Sequence, residues 1–272
     1  MILFPSSKIN LGLRVLSKRA DGYHDIETCF YPLALCDILE GISSESVQAG
    51  FTSSGLDIPG EAEENLIVRG YKILNERFNL PPLALHLHKI IPMGAGLGGG
   101  SSDGTKALLL IRDLFQLAIS KEEIVEIAMT LGSDCAFFME ENVCLATGRG
   151  EVLTPIQLSL KGWNLAVVKP EIHVSTAAVF AMMKPQARES SLASLLSFPL
   201  SKWKDQITND FEPIVFAQHP RISAIKDKLY TLGASFALMS GSGASVYGLF
   251  SEQLDLQSCF PDDFVYQETL QV

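Results

Sequence analysis

Pro92-Met-Gly-Ala-Gly-Leu-Gly-Gly-Gly-Ser-Ser-Asp103 packs five glycines into the seven residues from 94 to 100 and follows them with two hydroxyls and an acid at the head of an apolar stretch. Glycine has no Cβ, so such a run can take positive φ and bring its backbone close to a ligand. A helix beginning at Ser101 and Ser102 would direct unpaired amides and the positive end of its dipole at an anion. The stretch reads as a phosphate cradle. Gly94, Gly96 and Gly99 also satisfy G-x-G-x-x-G after an apolar segment, Leu83 to Ile91. A dinucleotide fold needs in addition an acid ending the next strand, about 20 residues on. Asp113 has that spacing but lies within 106–117, where apolar residues recur at helical spacing. A P-loop would close in Gly-Lys-Ser/Thr, whereas this loop closes in Gly100-Ser101-Ser102. A flexible glycine linker is the bland alternative, and a position between an apolar strand and a helix argues against it.

Outward from the loop, residues 6–16 and 26–40 read as strands joined by a turn at Ala20-Asp-Gly-Tyr23. Ile67, Tyr71, Leu74 and Phe78 recur at helical spacing. Ser120-Lys-Glu-Glu123 is a capping box opening a helix that carries Ile124, Ile127, Ala128 and Leu131 on one face and stops at Gly132. Asp134 therefore falls just past a helix end, where a loop side chain can face a ligand. Further strands are expected at 165–168, 236–239 and 246–250, the last two around Ser240-Gly-Ser-Gly243, and Pro185 to Ser201 reads as a polar connector. His86 and His88 alternate along a strand without a third ligand, which favours exposed positions over zinc.

Thirty-one acids against 21 Lys and Arg give a net charge of −10, which disfavours nucleic acid. No apolar run approaches a membrane span, and the first residues lack the charged start of a secretory signal. Five cysteines with no CxxC pair suit reduced thiols in a cytosol. Lys8, Arg14, Lys18 and Arg19 all precede the first acid, Asp21, so the N-terminal segment is locally positive; for Lys18 and Arg19 a solvated basic face is the reading preferred.

Three motifs in order resemble those of the GHMP kinases, the superfamily of galactokinase, homoserine kinase, mevalonate kinase and phosphomevalonate kinase. They are Pro5-Ser-Ser-Lys-Ile-Asn-Leu-Gly-Leu13, the glycine loop, and Leu238-Met-Ser-Gly-Ser-Gly-Ala-Ser-Val-Tyr-Gly248. Arg19-Ala-Asp-Gly-Tyr-His24, Asn65-Leu-Ile-Val-Arg69, Leu131-Gly-Ser-Asp134 and Ala146-Thr-Gly-Arg-Gly-Glu151 are similar to one branch, whose acceptor alcohol carries a cytidine diphosphate. The likeness is thinnest over about 41–62 and 185–205. Cys135-Ala136 stands where that branch usually has Val-Pro, and Gly104-Thr105-Lys106 replaces small residues in the first turn of a helix, where glycine costs about 1 kcal/mol.

The resemblance implies a two-domain α/β (α+β) fold, divided into 1–155 and 156–272, with the active site in the interdomain cleft. It implies a cytoplasmic small-molecule kinase using ATP, with Mg2+ expected, monomeric or homodimeric, with no nucleic acid and no membrane as partner. By the same resemblance Asp134 would accept the proton of the acceptor's 2-hydroxyl and Lys8 would keep that carboxylate ionised, with Asn10 orienting the substrate. The ATP phosphates would lie on Pro92, Met93, Gly94, Ala95, Gly96, Leu97, Gly98, Gly99, Gly100, Ser101 and Ser102, with Asn65 and Lys89 near the adenosine and Ser102 the candidate Mg2+ ligand. Tyr23, His24, Phe30 and Phe180 would hold the cytidine, a core role staying open for the two phenylalanines; Gly241 and Gly243 would approach the substrate phosphates or the loop. The competing expectations are another GHMP-type kinase, which would lack Arg19-Ala-Asp-Gly-Tyr-His24, and a non-catalytic nucleotide-binding relative, which would lack Lys8 or Asp134.

Overall fold

The computed structural model of the chain describes residues 1–43, 46, 48–140 and 142–271. In order, it holds β1 (Ile2–Leu3), β2 (Ser6–Lys18), β3 (His24–Cys36), β4 (Ile38–Ser43), β5 (Gly50–Gly55), α1 (Leu66–Phe78), β6 (Leu83–Lys89), α2 (Gly99–Leu114), α3 (Lys121–Leu131), β7 (Cys144–Thr147), β8 (Val152–Pro155) and β9 (Asn164–Lys169). After these come α4 (Thr176–Met182), α5 (Leu192–Leu196), α6 (Trp203–Gln206), α7 (Glu212–Gln218), α8 (Pro220–Thr231), β10 (Phe236–Met239), β11 (Val246–Phe250) and β12 (Phe264–Thr269). The architecture is α+β, as expected. Among the described residues no helix is long and apolar enough to cross a membrane.

The chain forms two compact units, each assembled from separated segments. Unit 1 is Met1–Ser7, Leu33–Met93 and Gly98–Glu141; unit 2 is Lys8–Pro32, Gly94–Leu97 and Asn142–Val272. This differs from the division expected at 155/156, because β2 and β3 are long strands whose two ends belong to different units. The strand expected over 26–40 is also two strands. They are separated at Asp37, whose carboxylate is used to accept main-chain amides rather than to face solvent.

Unit 1 carries a four-stranded sheet ordered β1-β4-β6-β5, antiparallel except for the parallel β5–β6 pair. Leu83, Leu85 and Leu87 alternate inward along β6 and meet Ile67, Leu74, Leu108, Ile111 and Ile124 from α1, α2 and α3 in one core. His86 and His88 take the opposite face, hydrogen-bonded to Thr52 and Ser54 at 2.8–3.0 Å. Among the described residues no group of three or more metal-ligating side chains is present. The capping box at α3 forms as read: Ser120 Oγ accepts from Glu123 N at 3.1 Å and Glu123 Oε2 accepts from Ser120 N at 2.9 Å. Gly104, an expected weakness of α2, is a requirement of packing, since a Cβ there would sit 2.7 Å from Leu66 Cβ of α1.

Unit 2 carries an antiparallel sheet ordered β10-β11-β9-β12, with α7 and α8 among the elements that share its core of Ala166, Val168, Val215, Ile222, Leu229 and Val246. The expected connector at 185–201 is partly structured: Ser191 caps α5, whose Leu192 and Leu196 are buried. A third sheet, β2-β3-β7-β8, contains the turn after Lys18. That turn is built by its own charges. Asp21 Oδ1 accepts from Tyr23 N, and Arg19 bonds both Asp21 and Asp25.

Candidate active site

In unit 2, β2 alternates Lys8 and Asn10 onto one side of the strand. Lys8 is 3% exposed; its Nζ donates to Asn10 Oδ1 at 2.6 Å and to the Gly96 carbonyl at 3.3 Å, and lies 4.9 Å from the Phe30 ring centroid. Asn10 donates from Nδ2 to Thr28 Oγ1 at 2.9 Å, its main-chain N donates to Ser240 Oγ at 3.2 Å, and its carbonyl accepts from Tyr247 at 3.0 Å. Asn10 thus holds the Lys8 ammonium and joins β2 to the third motif.

The Gly94–Leu97 half of the loop is pinned in the same unit. Leu97 O accepts from Lys8 N, Ala95 O accepts from Ser245 N, and Gly96 O accepts from Ser240 Oγ at 2.8 Å. At Gly96 a Cβ would fall 2.1 Å from Ser240 O, so only glycine fits between the second and third motifs. Gly241 meets Gly96 in the same way, with 3.3 Å from its ideal Cβ to Gly96 Cα; of the two places expected for the third-motif glycines, this is the loop. Ala95 and Leu97 are buried while Gly94 stays exposed, so the apolar side chains anchor this half of the loop.

A pocket of about 440 Å³, also in unit 2, is lined by Lys18, Gly22, Tyr23, His24, Ala177, Phe180, Ala181 and Met183. The His24 and Phe180 rings stack at 5.2 Å, Phe180 leans edge-on against Phe211 at 4.9 Å, and Tyr23 carries the Arg149 guanidinium at 5.0 Å from its centroid. Three of the four expected aromatic residues therefore gather here. Phe30 does not. It is 1% exposed and belongs to the core, where it supports the Lys8 ammonium.

In unit 1, a pocket of about 460 Å³ is lined by residues 51–53 and 58–62 together with Glu64, Asn65, Leu66, Met93, Gly100 and Asp103. Asn65 caps α1, its Oδ1 accepting from Ile67 N at 2.9 Å, which leaves its amide nitrogen for a ligand. The helix after the loop starts at Gly99, two residues before the serines, with Gly98 at φ 74° as its cap. Ser102 Oγ is buried with no hydrogen-bond partner among the described residues, the state of an oxygen that a ligand or cation completes. Asp134 is half-buried at the head of a 3₁₀ turn, Ser133–Met139, that continues directly from α3 and is tied to α2 by Thr105 Oγ1 donating to Cys135 O at 3.0 Å. Burial pushes the adjacent Cys135 thiol up to about 11, so it stays protonated at neutral pH.

Lys89 is the clearest correction. Expected beside adenosine, its side chain is wholly buried, with Nζ 2.5 Å from Asp37 Oδ2 and 2.6 Å from Asp103 Oδ2. A lysine side chain so enclosed is held between two carboxylates inside the protein and does not extend to a base. Asp37 carries no signal in the sequence beyond being an acid near apolar strands, and Asp103, the acid that closes the loop motif, carries none that pairs it with Lys89. Asn209 was missed as well: its Nδ2 donates to Met239 O and Gly241 O, both at 2.8 Å, and so sets the third motif. Asn-Asp ahead of an apolar helix was the available hint.

Two family profiles match, GHMP kinases N terminal domain over 65–141 and GHMP kinases C terminal over 191–259. A protein of Parabacteroides distasonis described as 4-diphosphocytidyl-2-C-methyl-D-erythritol kinase is 46% identical, with 99% of this chain and 100% of the relative covered. A Porphyromonas gingivalis protein of the same description is 44% identical, again over 99% and 100%. A crystal structure of 4-(cytidine 5'-diphospho)-2C-methyl-D-erythritol kinase superposes with a TM-score of 0.84 at 30% identity, covering all of both chains.

Proposed function

The chain belongs to the GHMP kinases and groups with their 4-diphosphocytidyl-2-C-methyl-D-erythritol kinases; on that premise we propose that it phosphorylates the 2-hydroxyl of this cytidine diphosphate alcohol with ATP. The reaction belongs to the non-mevalonate route to isoprenoid precursors. The observation that carries the acceptor's identity is the Arg19-to-His24 turn, which delivers Tyr23 and His24 to a pocket shared with Phe180. Aromatic faces suit a pyrimidine, and an imidazole can read its hydrogen-bonding edge.

Phosphoryl transfer asks the protein for positioning and charge compensation. Asp134 accepts the hydroxyl proton as the oxygen attacks the γ-phosphorus and the bond to the bridging oxygen of ADP breaks. The Lys8 ammonium, fixed by Asn10 and the Gly96 carbonyl, offsets negative charge on the attacking oxygen. The glycine loop receives the phosphates, with its main-chain amides and those at the start of α2 as donors. Asn65 lines the pocket assigned to the adenosine end. Magnesium, if carried by ATP in the usual way, would use the orphaned Ser102 hydroxyl and would neutralise phosphate charge.

An ADP-release assay with the cytidylated alcohol against mevalonate, homoserine and galactose tests the acceptor, and turnover with the first alone is expected. In that assay Asp134→Asn should lose about 10² to 10⁴ in kcat, the usual worth of a positioned base, with ATP affinity nearly unchanged. Near wild-type kcat in this variant would remove Asp134 from the mechanism.

A further inference from the structure

We propose that Asp37, Lys89 and Asp103 form a buried clamp that holds the two stems of the glycine loop at the spacing in which it receives ATP. The proposal rests on the reading of that loop as the phosphate cradle. Lys89 ends β6 and enters the loop, whereas Asp103 lies in the opening turns of α2, just beyond it. Asp37 Oδ1 accepts from Ile90 N at 2.5 Å and Ile91 N at 2.8 Å, so the main chain of the incoming stem is fixed by one carboxylate. The other oxygen of Asp37 binds Lys89 Nζ, and Lys89 reaches across to Asp103 at 2.6 Å, so the same cluster fixes the outgoing stem. The start of α2 rests directly on it: a Cβ at Gly99 would lie 3.1 Å from Lys89 Nζ and 2.9 Å from Ile91 Cγ2.

Stability does not explain such a cluster, because well-packed apolar residues commonly replace a buried ion pair at no loss. Geometry does. Three charged groups with side-chain exposures of 0, 0 and 6% can satisfy one another in few arrangements, and each permitted arrangement dictates where both stems lie.

Lys89→Met alone strands two acids and is expected to unfold the protein; combined with Asp103→Asn it should fold, by circular dichroism, yet bind ATP about tenfold or more weakly by calorimetry, while the cytidylated alcohol binds as in the wild type. Asp37→Asn, which keeps the side chain's size but turns an amide donor toward Lys89, should weaken ATP in the same selective way. Wild-type ATP affinity in the folded double variant would overturn the clamp; should the double variant not fold, the same measurement on Asp37→Asn decides. Gly98→Val separates the two readings, because unchanged ATP binding there sinks the cradle itself, whatever the clamp does.

Discussion

The unit 1 pocket beside the glycine loop and the unit 2 pocket beneath the β2–β3 turn are alike in volume, about 460 and about 440 Å³, and unlike in what makes them. The first draws its lining from β5, the stretch after it, the start of α1 and the loop residues Met93 and Gly100, and Asn65 there spends its side-chain oxygen on a helix cap. The second is a side-chain construction, with Tyr23, His24 and Phe180 supplying ring surface and edge atoms. On the proposed function, the first takes the nucleoside triphosphate beside a glycine loop that fails when a Cβ is added, and the second takes the cytidine and fails when ring atoms are removed.

The sharpest way to break the first pocket alone is Gly98→Val. Gly98 caps α2 at φ 74°, where a β-branched residue is strained and its methyls would occupy the approach to the amides. KM for ATP should rise by roughly 10- to 100-fold while the cytidylated substrate binds as before; an equal loss for both substrates would mean that the loop serves the whole fold rather than ATP.

His24→Ala addresses the second pocket. Removing the imidazole from its stack with Phe180 should weaken the cytidylated substrate by about 1 to 3 kcal/mol, the cost of leaving a hydrogen-bonding edge unpaired, and keep KM for ATP within about twofold. If ATP suffers equally, His24 is a prop for the turn after Asp21; if neither nucleotide is affected, the cytidine site lies elsewhere.

The smallest effect serves as the control. Ser120→Ala removes one half of the α3 capping box, far in sequence from either pocket's lining, and should cost about 1 kcal/mol of stability in a denaturant titration with both KM values unchanged. A change in either KM would show that α3 is coupled to a pocket.

Local sequence was readable wherever neighbours along the chain decide the outcome. The Ser120 box and the strands 236–239 and 246–250 depend on hydrogen bonds and periodicities spanning a few residues, and they formed as read; α2 instead begins at Gly99, two residues ahead of the serines. Lys89 was misread because its surroundings are supplied by a distant segment, Asp37 lying 52 residues away; of the two roles left open for Phe30, packing decided for the core, beside Lys8 of another strand. Gly104 was misjudged for the same reason, since helix propensity counts its missing side chain as a loss while α1 needs that space.

By itself, then, the sequence determined the family, the order of the three motifs, the glycine loop and the residue types able to move a proton or stack on a base, because each is written in contiguous residues whose chemistry does not depend on context. The tertiary structure alone decided which polar groups are spent inside the protein. Lys89 and Asp37 are consumed by partners brought together by folding, and burial, which turns an exposed ligand into a positioning residue, belongs to the packed chain and to no single stretch of it.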